Sequence, residues 1–256
     1  SKIISWQEFQ NLEKTFYKAI RNSNNKVLIY GCEFSIKYEL YLSMNITNID
    51  KALLVVPHKT LLNGKYNYSS SDKHNFQIGV SLRYKDIYSY KNSFNHDLSL
   101  LALLAQDVNE SKNLLKVIGD VDNLSIKLHP SSNQEDFNQL LKTNWSYVTL
   151  NLYDLFKKTN IVFVSTMSGT ALEAVACGIS VIIVASPNSL KINPLIEYGY
   201  GKIWDIVDQE SDLKVKMNSL LEFRKKNENE ILIISNWYKD NFFIEPTEKN
   251  ISKAFE

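Results

Sequence analysis

The 256-residue sequence has few of the features that mark disulfide-rich, nucleic-acid-binding or membrane-spanning proteins. Its only cysteines, Cys32 and Cys177, lie far apart without metal-ligand spacing, so we expect two buried thiols in a reducing compartment. The 29 basic and 28 acidic side chains nearly cancel, which excludes the broad positive field of a general nucleic-acid binder. No apolar run approaches the ~20 residues that span a bilayer, and the first residues contain no apolar signal core. These absences predict a soluble cytoplasmic protein.

Hydrophobic residues make up 44% of the chain, and from residue 76 onward short apolar runs alternate with helical patterns. This alternation is typical of an α/β, Rossmann-like, doubly wound parallel sheet. The predicted strands of this region are 76–82, 124–128, 147–150, 161–164 and 180–185. The predicted helices are 97–118, 133–141, 151–158, 171–177 and two more within 209–240.

The first 75 residues predict a smaller α/β part. Five apolar residues recur at helical spacing and predict one helix over the first twenty positions: Trp6, Phe9, Leu12, Phe16 and Ile20. Strands are predicted at 26–30 and 52–56, and the polar stretch 63–75 has the composition of a linker. We therefore expect an N-terminal part over 1–75, a ligand-binding domain over 76–240 and a C-terminal tail over 241–256.

Polar side chains follow several of the predicted strands. In an open parallel sheet, ligands bind at the carboxyl ends of the strands. The residues at these ends are Arg83, Lys85, His129, Ser165 to Thr170, Ser186 and Asn188.

The most informative segment is the strand, turn and helix of IVFVSTMSGTALEAVACGISVII. The first N–H groups of a helix lack internal partners and carry the positive end of its dipole. Gly169 permits close approach of a ligand, and the hydroxyls of Ser168 and Thr170 add donors. The turn therefore predicts a phosphate-binding site; the alternative is an ordinary helix capped by Ser or Thr.

Glu173 lies one turn into the same predicted helix, where a carboxylate can accept two hydrogen bonds from a ribose diol. Its neighbours Ala171, Leu172, Ala174 and Val175 are small or apolar, so the carboxylate requires a partner. The alternative is a solvated glutamate on a helix surface.

The sequence SGTALEAVACGISVI resembles the nucleotide-binding motif of GT-B glycosyltransferases and their epimerase relatives, over about residues 76–240. The resemblance implies that Glu173 contacts the ribose of a nucleotide sugar and that the preceding turn contacts its phosphate. It implies that no metal cofactor is needed. Many retaining members carry two glutamates eight positions apart, and Ser165 stands where the first would be, which favours an inverting reaction.

The sequence IKLHPSS resembles the HP motif of bacterial sialyltransferases and Kdo transferases, and a similar pair occurs in polyol-phosphate transferases of the wall teichoic acid type. The resemblance implies that His129, followed by Pro130, contacts the phosphate of a CMP-sugar. Ser165, Thr166 and Ser168 are the candidates for the accompanying hydroxyl pair. An imidazole can donate to a phosphate and assist its departure. The alternative is a His-Pro pair that only ends a strand.

GT-B enzymes often place a cation for the donor phosphates after the first strand of the donor domain, so Arg83 and Lys85 are candidates; the alternative is an ordinary surface pair. The acceptor and the catalytic base usually belong to the N-terminal domain. Only about 75 residues precede the donor domain here, so we expect that domain to be reduced or truncated, or the chain to be a piece of a larger protein. Glu33 and His58, each at a predicted strand end, are the candidate bases; the alternatives are a helix cap and a turn residue.

Together these features predict an inverting, metal-independent glycosyltransferase that uses a CMP-sugar, such as CMP-Kdo or CMP-sialic acid, to extend a bacterial surface polysaccharide. The expected partners are the donor and a glycan or lipid-linked glycan, with other synthase domains as a further option and no nucleic acid. One alternative is a UDP- or dTDP-sugar transferase, hydrolase or epimerase of the same fold. Another is a non-catalytic domain that binds a nucleotide sugar or glycan within a larger synthase. The expected location is the cytoplasm, with peripheral attachment to the inner membrane as an option.

Overall fold

The computed structural model describes residues 1–36, 45–66, 68, 76–92, 94, 99–119, 121–187, 190 and 192–256. It divides into two compact units. The first comprises Ser1–Tyr88 and Lys239–Glu256, and the second comprises Ser89–Tyr238.

The first unit is built on a four-stranded parallel sheet in the order β1-β2-β3-β4. Its elements, in chain order, are β1 Lys2–Gln7, α1 Asn11–Ser23, β2 Leu28–Glu33, α2 Asn48–Ala52, β3 Lys59–Leu62, β4 Phe76–Ile78 and α3 Asp86–Ser89. The helix α2 begins at a capping box, in which Thr47 and Asp50 satisfy each other's backbone N–H groups.

The second unit contains a six-stranded parallel sheet in the order β10-β9-β8-β5-β6-β7. Its elements are β5 Leu100–Leu103, α4 Val108–Ile118, β6 Leu124–Lys127, β7 Ser146–Tyr147, α5 Leu152–Phe156, β8 Ile161–Ser165, α6 Thr170–Ala176, β9 Ser180–Val184, β10 Trp204–Val207, α7 Glu210–Lys226 and most of α8 Glu228–Phe242, which ends in the first unit. Strands β8 and β9 are buried along their whole length, as expected for central strands covered by helices on both faces. The last helix, α9 Glu248–Ala254, belongs to the first unit.

The elements around the Ser168 turn are confirmed, because there the strand and helix patterns are separated by clear turn signals. Strands β6, β8 and β9, helix α6 and the two helices α7 and α8 all lie where the sequence predicts them. Helix α5 is capped as predicted, since the Asn151 side chain accepts a hydrogen bond from the N–H of Tyr153 at 3.0 Å.

Three predictions are wrong. The helix predicted over the first twenty residues begins only at Asn11, because Lys2–Gln7 is a strand. The helix predicted over 97–118 contains β5 before α4, because a short buried strand and an amphipathic helix are both rich in leucine. The strand predicted over 52–56 is the end of α2 and a turn in which Leu54 has φ 58°. Strand β10 was not predicted.

The observed division differs from the predicted boundaries. The segment 76–88 lies in the first unit because β4 pairs with β3, and the strand predicted over 76–82 is only three residues long. The segment 241–256 also belongs to the first unit, where Ala254 packs in a buried cluster with Tyr30 and Cys32. Most of the predicted linker lies outside the described residues.

Within the described part of the chain, no helix is long and apolar enough to cross a membrane.

Candidate functional site

The second sheet has a topological switch point between β5 and β8. The chain proceeds outward from β5 to β6 and β7, then returns to the other side of β5 and proceeds through β8, β9 and β10. All neighbouring strands are parallel, so their carboxyl ends lie along one edge. Ligands of doubly wound sheets bind in the crevice at such a point. Two helices begin beside it, α4 after β5 and α6 after β8.

The beginning of α4 is occupied by a carboxylate of the chain itself. Asp107 accepts hydrogen bonds from the N–H groups of Asn109 at 2.7 Å and Glu110 at 3.0 Å. An anion therefore already neutralises the positive end of this helix dipole. Asp107 was not singled out from the sequence, because β5 was hidden in a predicted helix.

The beginning of α6 has no such cap. Its N-cap residue is Gly169, which offers no side-chain oxygen. Among the residues that the structure describes, none accepts a hydrogen bond from the backbone N–H groups of Ser168, Gly169 or Thr170. Three donors at the positive end of a helix thus meet at the switch point, which is an arrangement suited to a phosphate.

The glycine at position 169 is not required by the chain's own conformation or packing. Its φ is −59°, a value that any residue adopts, and a Cβ atom added there would meet no atom of the described residues within 4 Å. By contrast, a Cβ atom at Gly31 would overlap the side chain of Gln7. No described residue therefore blocks the approach of a ligand to the backbone at Gly169.

The residue before this turn has an unusual backbone conformation. Met167 has φ 65°, in the left-handed region that side chains other than those of Gly, Asn and Asp seldom adopt. Its N–H donates to the carbonyl of Ile192 at 2.9 Å, which holds the turn in this shape. Backbone strain of this kind is concentrated at ligand-binding sites.

The carboxylate of Glu173 has the partner that its apolar neighbours require. The hydroxyl of Tyr153, on α5, donates to Oε2 of Glu173 at 2.6 Å. The Tyr153 ring makes an edge contact with Phe156 at a centroid distance of 5.8 Å, so the tyrosine is itself held in place. No local pattern links residues 20 positions apart, and Tyr153 was missed for that reason.

His129 follows β6, the strand beside β5, and lies half-buried. Its Nδ1 accepts the N–H of Ser131 at 3.2 Å and lies 2.7 Å from the Ser131 hydroxyl. Because Nδ1 accepts, the neutral ring carries its proton on Nε2, which is then a donor. Ser132 contacts the carbonyl of Ala105 at 3.5 Å and so links the His-Pro turn to the end of β5. The histidine therefore shapes its own turn and lies at the carboxyl edge of the sheet, with Nε2 as a donor.

The other hydroxyl residues of the predicted site differ in exposure. Ser165 and Thr166 are buried at the end of β8, and Ser186 is buried after β9. Ser168 and Thr170 are partly exposed. Asn188 lies outside the described residues.

Arg83 and Lys85 are exposed residues of the first unit and follow β4, so they do not belong to the sheet that carries the Ser168 turn. The Arg83 guanidinium stacks on the ring of Phe34, with 4.0 Å between its central carbon and the ring centroid. Their contact with a donor phosphate stays a prediction.

The two candidate bases lie at opposite edges of the first sheet. Glu33 ends β2 and is buried, and its Oε2 accepts the N–H of Asn63 at 2.8 Å. His58 precedes β3, at the amino edge, and its Nδ1 accepts the N–H of Ile29 at 2.9 Å. Burial and the charge of Arg21 lower the pKa of His58. Only Glu33 therefore keeps the carboxyl-edge position on which the base assignment depends.

No group of three or more His, Cys, Asp and Glu side chains that could hold a metal ion is present among the described residues. Cys32 and Cys177 are both buried thiols, as the sequence predicts.

No protein-family model matches the sequence, and none of the curated proteins matches it. Solved structures do resemble it. The spinosyn forosaminyltransferase SpnP is 9% identical with a TM-score of 0.57, over 98% of this chain and 74% of that one. MurG of Acinetobacter baumannii is 12% identical with a TM-score of 0.51, over 99% and 73%. Arabidopsis thaliana UGT89C1, solved with UDP, is 8% identical with a TM-score of 0.51, over 95% and 68%. Likeness at such low identity concerns the fold alone, and the chain has the GT-B fold of these glycosyltransferases.

Proposed function

We propose that this protein is a glycosyltransferase that transfers a sugar from a nucleotide-sugar donor to a glycan acceptor. The observation that carries the proposal is the uncapped beginning of α6 at the switch point of the second sheet, with Glu173 one turn further along the helix. The proposed acceptor is a bacterial surface polysaccharide, in free or lipid-linked form, and the proposed location is the cytoplasm.

The donor nucleotide would bind along α6. Its phosphate would accept hydrogen bonds from the N–H groups of Ser168, Gly169 and Thr170, which have no acceptor in the described part of the chain. Its ribose hydroxyls would donate to Glu173, one helical turn or ~5.4 Å along the axis. The hydrogen bond from Tyr153 fixes one carboxylate oxygen and so orients the other.

His129 would act on the leaving group. In the transfer, the bond between the anomeric carbon and the phosphate oxygen breaks, and the phosphate leaves with the electron pair. The Nε2 proton of His129 and the α6 amides would stabilise the charge that develops on that oxygen. Cations from Arg83 and Lys85 are proposed as additional partners of the phosphates, and no metal is required by this scheme.

An inverting reaction requires a base that takes the proton of the acceptor hydroxyl as it attacks the anomeric carbon. Glu33 is the proposed base. It lies at the carboxyl end of β2, and one oxygen of its carboxylate is already oriented by Asn63.

A CMP-sugar is the first candidate donor, supported by the His129-Pro130 pair and the hydroxyl-rich turn. A UDP-sugar is the second candidate, favoured by the UDP that the Arabidopsis neighbour binds in its solved structure.

Calorimetric titration with CMP, UDP, GDP and dTDP tests the donor site and its base preference together. We expect one nucleotide to bind and the binding to be lost in Glu173→Ala and weakened in His129→Ala. The matched control is Glu197→Ala, which removes an exposed carboxylate elsewhere in the second unit. Preference for UDP or dTDP would overturn the proposal of a CMP-sugar donor. Binding of no nucleotide would overturn the proposed donor site.

Transfer itself distinguishes an enzyme from a binding module. We expect wild type to release free nucleotide from its donor in the presence of acceptor, and Glu33→Gln to bind the nucleotide normally but to release it at least about 100-fold more slowly. Nucleotide binding without any turnover would favour the non-catalytic alternative.

A further inference from the structure

A series of buried hydrogen bonds leads to the carboxylate of Glu33 in the first unit. Its other members are Asn63, directly after β3, and Ser81, which follows β4. Asn63 is 1% exposed and Ser81 is 0% exposed. Polar groups are costly to bury unless they are paired, so the partners of these two residues show what they hold in place.

Asn63 contacts Glu33 at two points. Its backbone N–H donates to Oε2 of Glu33 at 2.8 Å, and its Nδ2 donates to the backbone carbonyl of Glu33 at 3.1 Å. A hydrogen bond to an ionised carboxylate is stronger than one between neutral groups. Asn63 therefore holds both the backbone and the carboxylate of Glu33, and it sets the direction of that carboxylate.

Ser81 holds Asn63 in turn. The Ser81 hydroxyl lies 2.7 Å from the carbonyl of Asn63 and accepts the N–H of Ile244 at 2.9 Å. Because the hydroxyl has a single proton and already accepts from Ile244, its proton is donated to Asn63. The N–H of Ser81 also donates to the carbonyl of Ile244 at 2.9 Å. Ser81 thus connects the loop after β3 with the chain that follows α8.

The same loop packs closely against the end of α8. The N–H groups of Lys65 and Tyr66 both donate to the carbonyl of Asn241 at 2.9 Å, and the Tyr66 ring stacks on Phe242 at a centroid distance of 4.6 Å. A Cβ atom at Gly64 would overlap the backbone of Phe242, so this close packing requires glycine. All of these residues belong to the first unit. The loop that holds Glu33 is therefore itself held from several directions.

Glu33 also borders a cavity of the first unit. Its neighbours along the wall of this cavity include Ile36, Leu62 and Tyr66. Glu33 is thus supported by Asn63 and adjoins space within the same unit. This position suits a group that must meet a ligand in one orientation.

We propose that Ser81 and Asn63 are positioning residues for Glu33. This inference rests on the proposed function, in which Glu33 takes the proton of the acceptor hydroxyl. Neither positioning residue touches the acceptor. Ser81 fixes Asn63, Asn63 fixes one carboxylate oxygen, and the carboxylate is oriented before the acceptor binds. A base held in this way loses less conformational entropy on reaching the transition state.

Amide NMR spectra of the isotopically labelled protein measure this orientation without any substrate. The amide shift of Asn63 should follow the titration of the Glu33 carboxyl group and should lose this response in Glu33→Gln. Ser81→Ala should loosen the hydrogen bond that stabilises the charged carboxylate, and so should move the midpoint of the response upward by at least about 0.5 pH.

The matched control for this titration is Ser5→Ala. It removes a hydroxyl of the same sheet that shares a hydrogen bond of 2.9 Å with Tyr17, and it should leave the Asn63 response unchanged. An unchanged response in Ser81→Ala, or equal changes in the two serine variants, would overturn the proposal.

Transfer rates supply a second test, measured as nucleotide released from CMP-sialic acid, CMP-Kdo or a UDP-sugar in the presence of acceptor. Ser81→Ala should lower kcat about tenfold and change the KM of the acceptor less than about twofold. In the Glu33→Gln background it should have no further effect, because no carboxylate remains to be oriented. Equal fold losses in the two backgrounds would show a purely structural role and overturn the proposal.

The two measurements distinguish this inference from the proposed function. A wild type that binds nucleotide but transfers no sugar would overturn the role of Glu33 as base, while the titration would still decide whether Ser81 orients it. If Ser81→Ala does not fold, Asn63→Ala takes its place, since it removes the Nδ2 contact with Glu33 and keeps the backbone N–H. The response of the amide at position 63 should then move in the same direction, and an unchanged midpoint would contradict the positioning role.

Discussion

The hydroxyl of Tyr153 lies 2.6 Å from Oε2 of Glu173, and it joins the helix after β7 to the helix after β8. One oxygen of the carboxylate is fixed by this contact, which sets the direction of the other. A glutamate oriented in this way loses less conformational entropy when a ribose binds. We therefore propose Tyr153 as a positioning residue of the proposed donor site.

Removal of this hydroxyl should weaken nucleotide binding without unfolding the protein. Tyr153→Phe keeps the ring contact with Phe156 and removes one hydrogen bond to a charged group, worth about 1–2 kcal/mol. We expect the Kd of the preferred nucleotide to rise about 5- to 30-fold in calorimetry. The matched control is Tyr147→Phe, which removes a tyrosine hydroxyl that lies 3.4 Å from the carbonyl of Gln134 in the same unit. An equal effect of both variants would contradict the role of Tyr153.

A methyl group at position 169 should weaken nucleotide binding but should hardly change the stability of the fold. The φ of −59° and the open space around Gly169 mean that Gly169→Ala should change the free energy of unfolding by less than about 1 kcal/mol. Nucleotide binding should weaken at least about tenfold, because the methyl group occupies the approach to the amides.

The contrasting substitution is Gly201→Ala. Position 201 also has open space around it, but its φ is 69°, so a side chain there should cost about 1–2 kcal/mol of stability. Its nucleotide binding should be unchanged. Denaturant unfolding and calorimetry on both variants check these opposite outcomes. Unimpaired nucleotide binding by Gly169→Ala would contradict the proposed phosphate site at the Ser168 turn.

The sequence predicted the Ser168 turn well because everything that defines it is local. A continuous apolar run, a turn of small residues and a helix closed by Gly178 follow one another within 23 residues. Helix α6 and strands β8 and β9 are where the pattern placed them.

The errors arose where one composition fits two structures. Leu100–Leu103 is a buried strand, but it runs into the equally leucine-rich α4 without a glycine or proline between them. Trp6 fits the helical spacing of α1 as well as the alternation of β1. Long-range relations were beyond any local pattern, which explains why Tyr153 and the cap by Asp107 were missed.

The two helix beginnings at the switch point should respond oppositely to substitution. Asp107→Ala removes the cap of α4 and should lower the free energy of unfolding by about 1 kcal/mol, with nucleotide affinity unchanged. The Ser168 side chain makes no capping hydrogen bond to α6, so Ser168→Ala should leave the free energy of unfolding unchanged. It should weaken nucleotide binding several-fold. Chemical denaturation and calorimetry on the two variants measure both quantities. A loss of nucleotide affinity in Asp107→Ala would indicate that the phosphate binds near α4 and would contradict its placement at α6.

His58 should make the first unit sensitive to mild acid. Burial, together with the charge of Arg21, lowers its pKa below the ordinary 6.5, so the unfolded chain takes up a proton at a higher pH than the folded chain. The contribution of His58 to stability is therefore complete above pH 6.5 and is lost as the pH falls below that value. His58→Asn keeps an acceptor for the N–H of Ile29 and cannot titrate.

We expect the free energy of unfolding of wild type to fall more between pH 7.5 and 5.5 than that of His58→Asn, measured by urea titration at each pH. Equal losses in the two proteins would show that His58 titrates alike in the folded and unfolded chains.

In the proposed donor site, the phosphate binds the uncapped amides after β8 and not the capped amides after β5. Amide chemical shifts of the isotopically labelled protein, followed during titration with the preferred nucleotide, report on both places at once. We predict large shifts for the amides of Ser168, Gly169 and Thr170 and small ones for Asn109 and Glu110. Large shifts at Asn109 and Glu110 with none at the Ser168 turn would contradict the account.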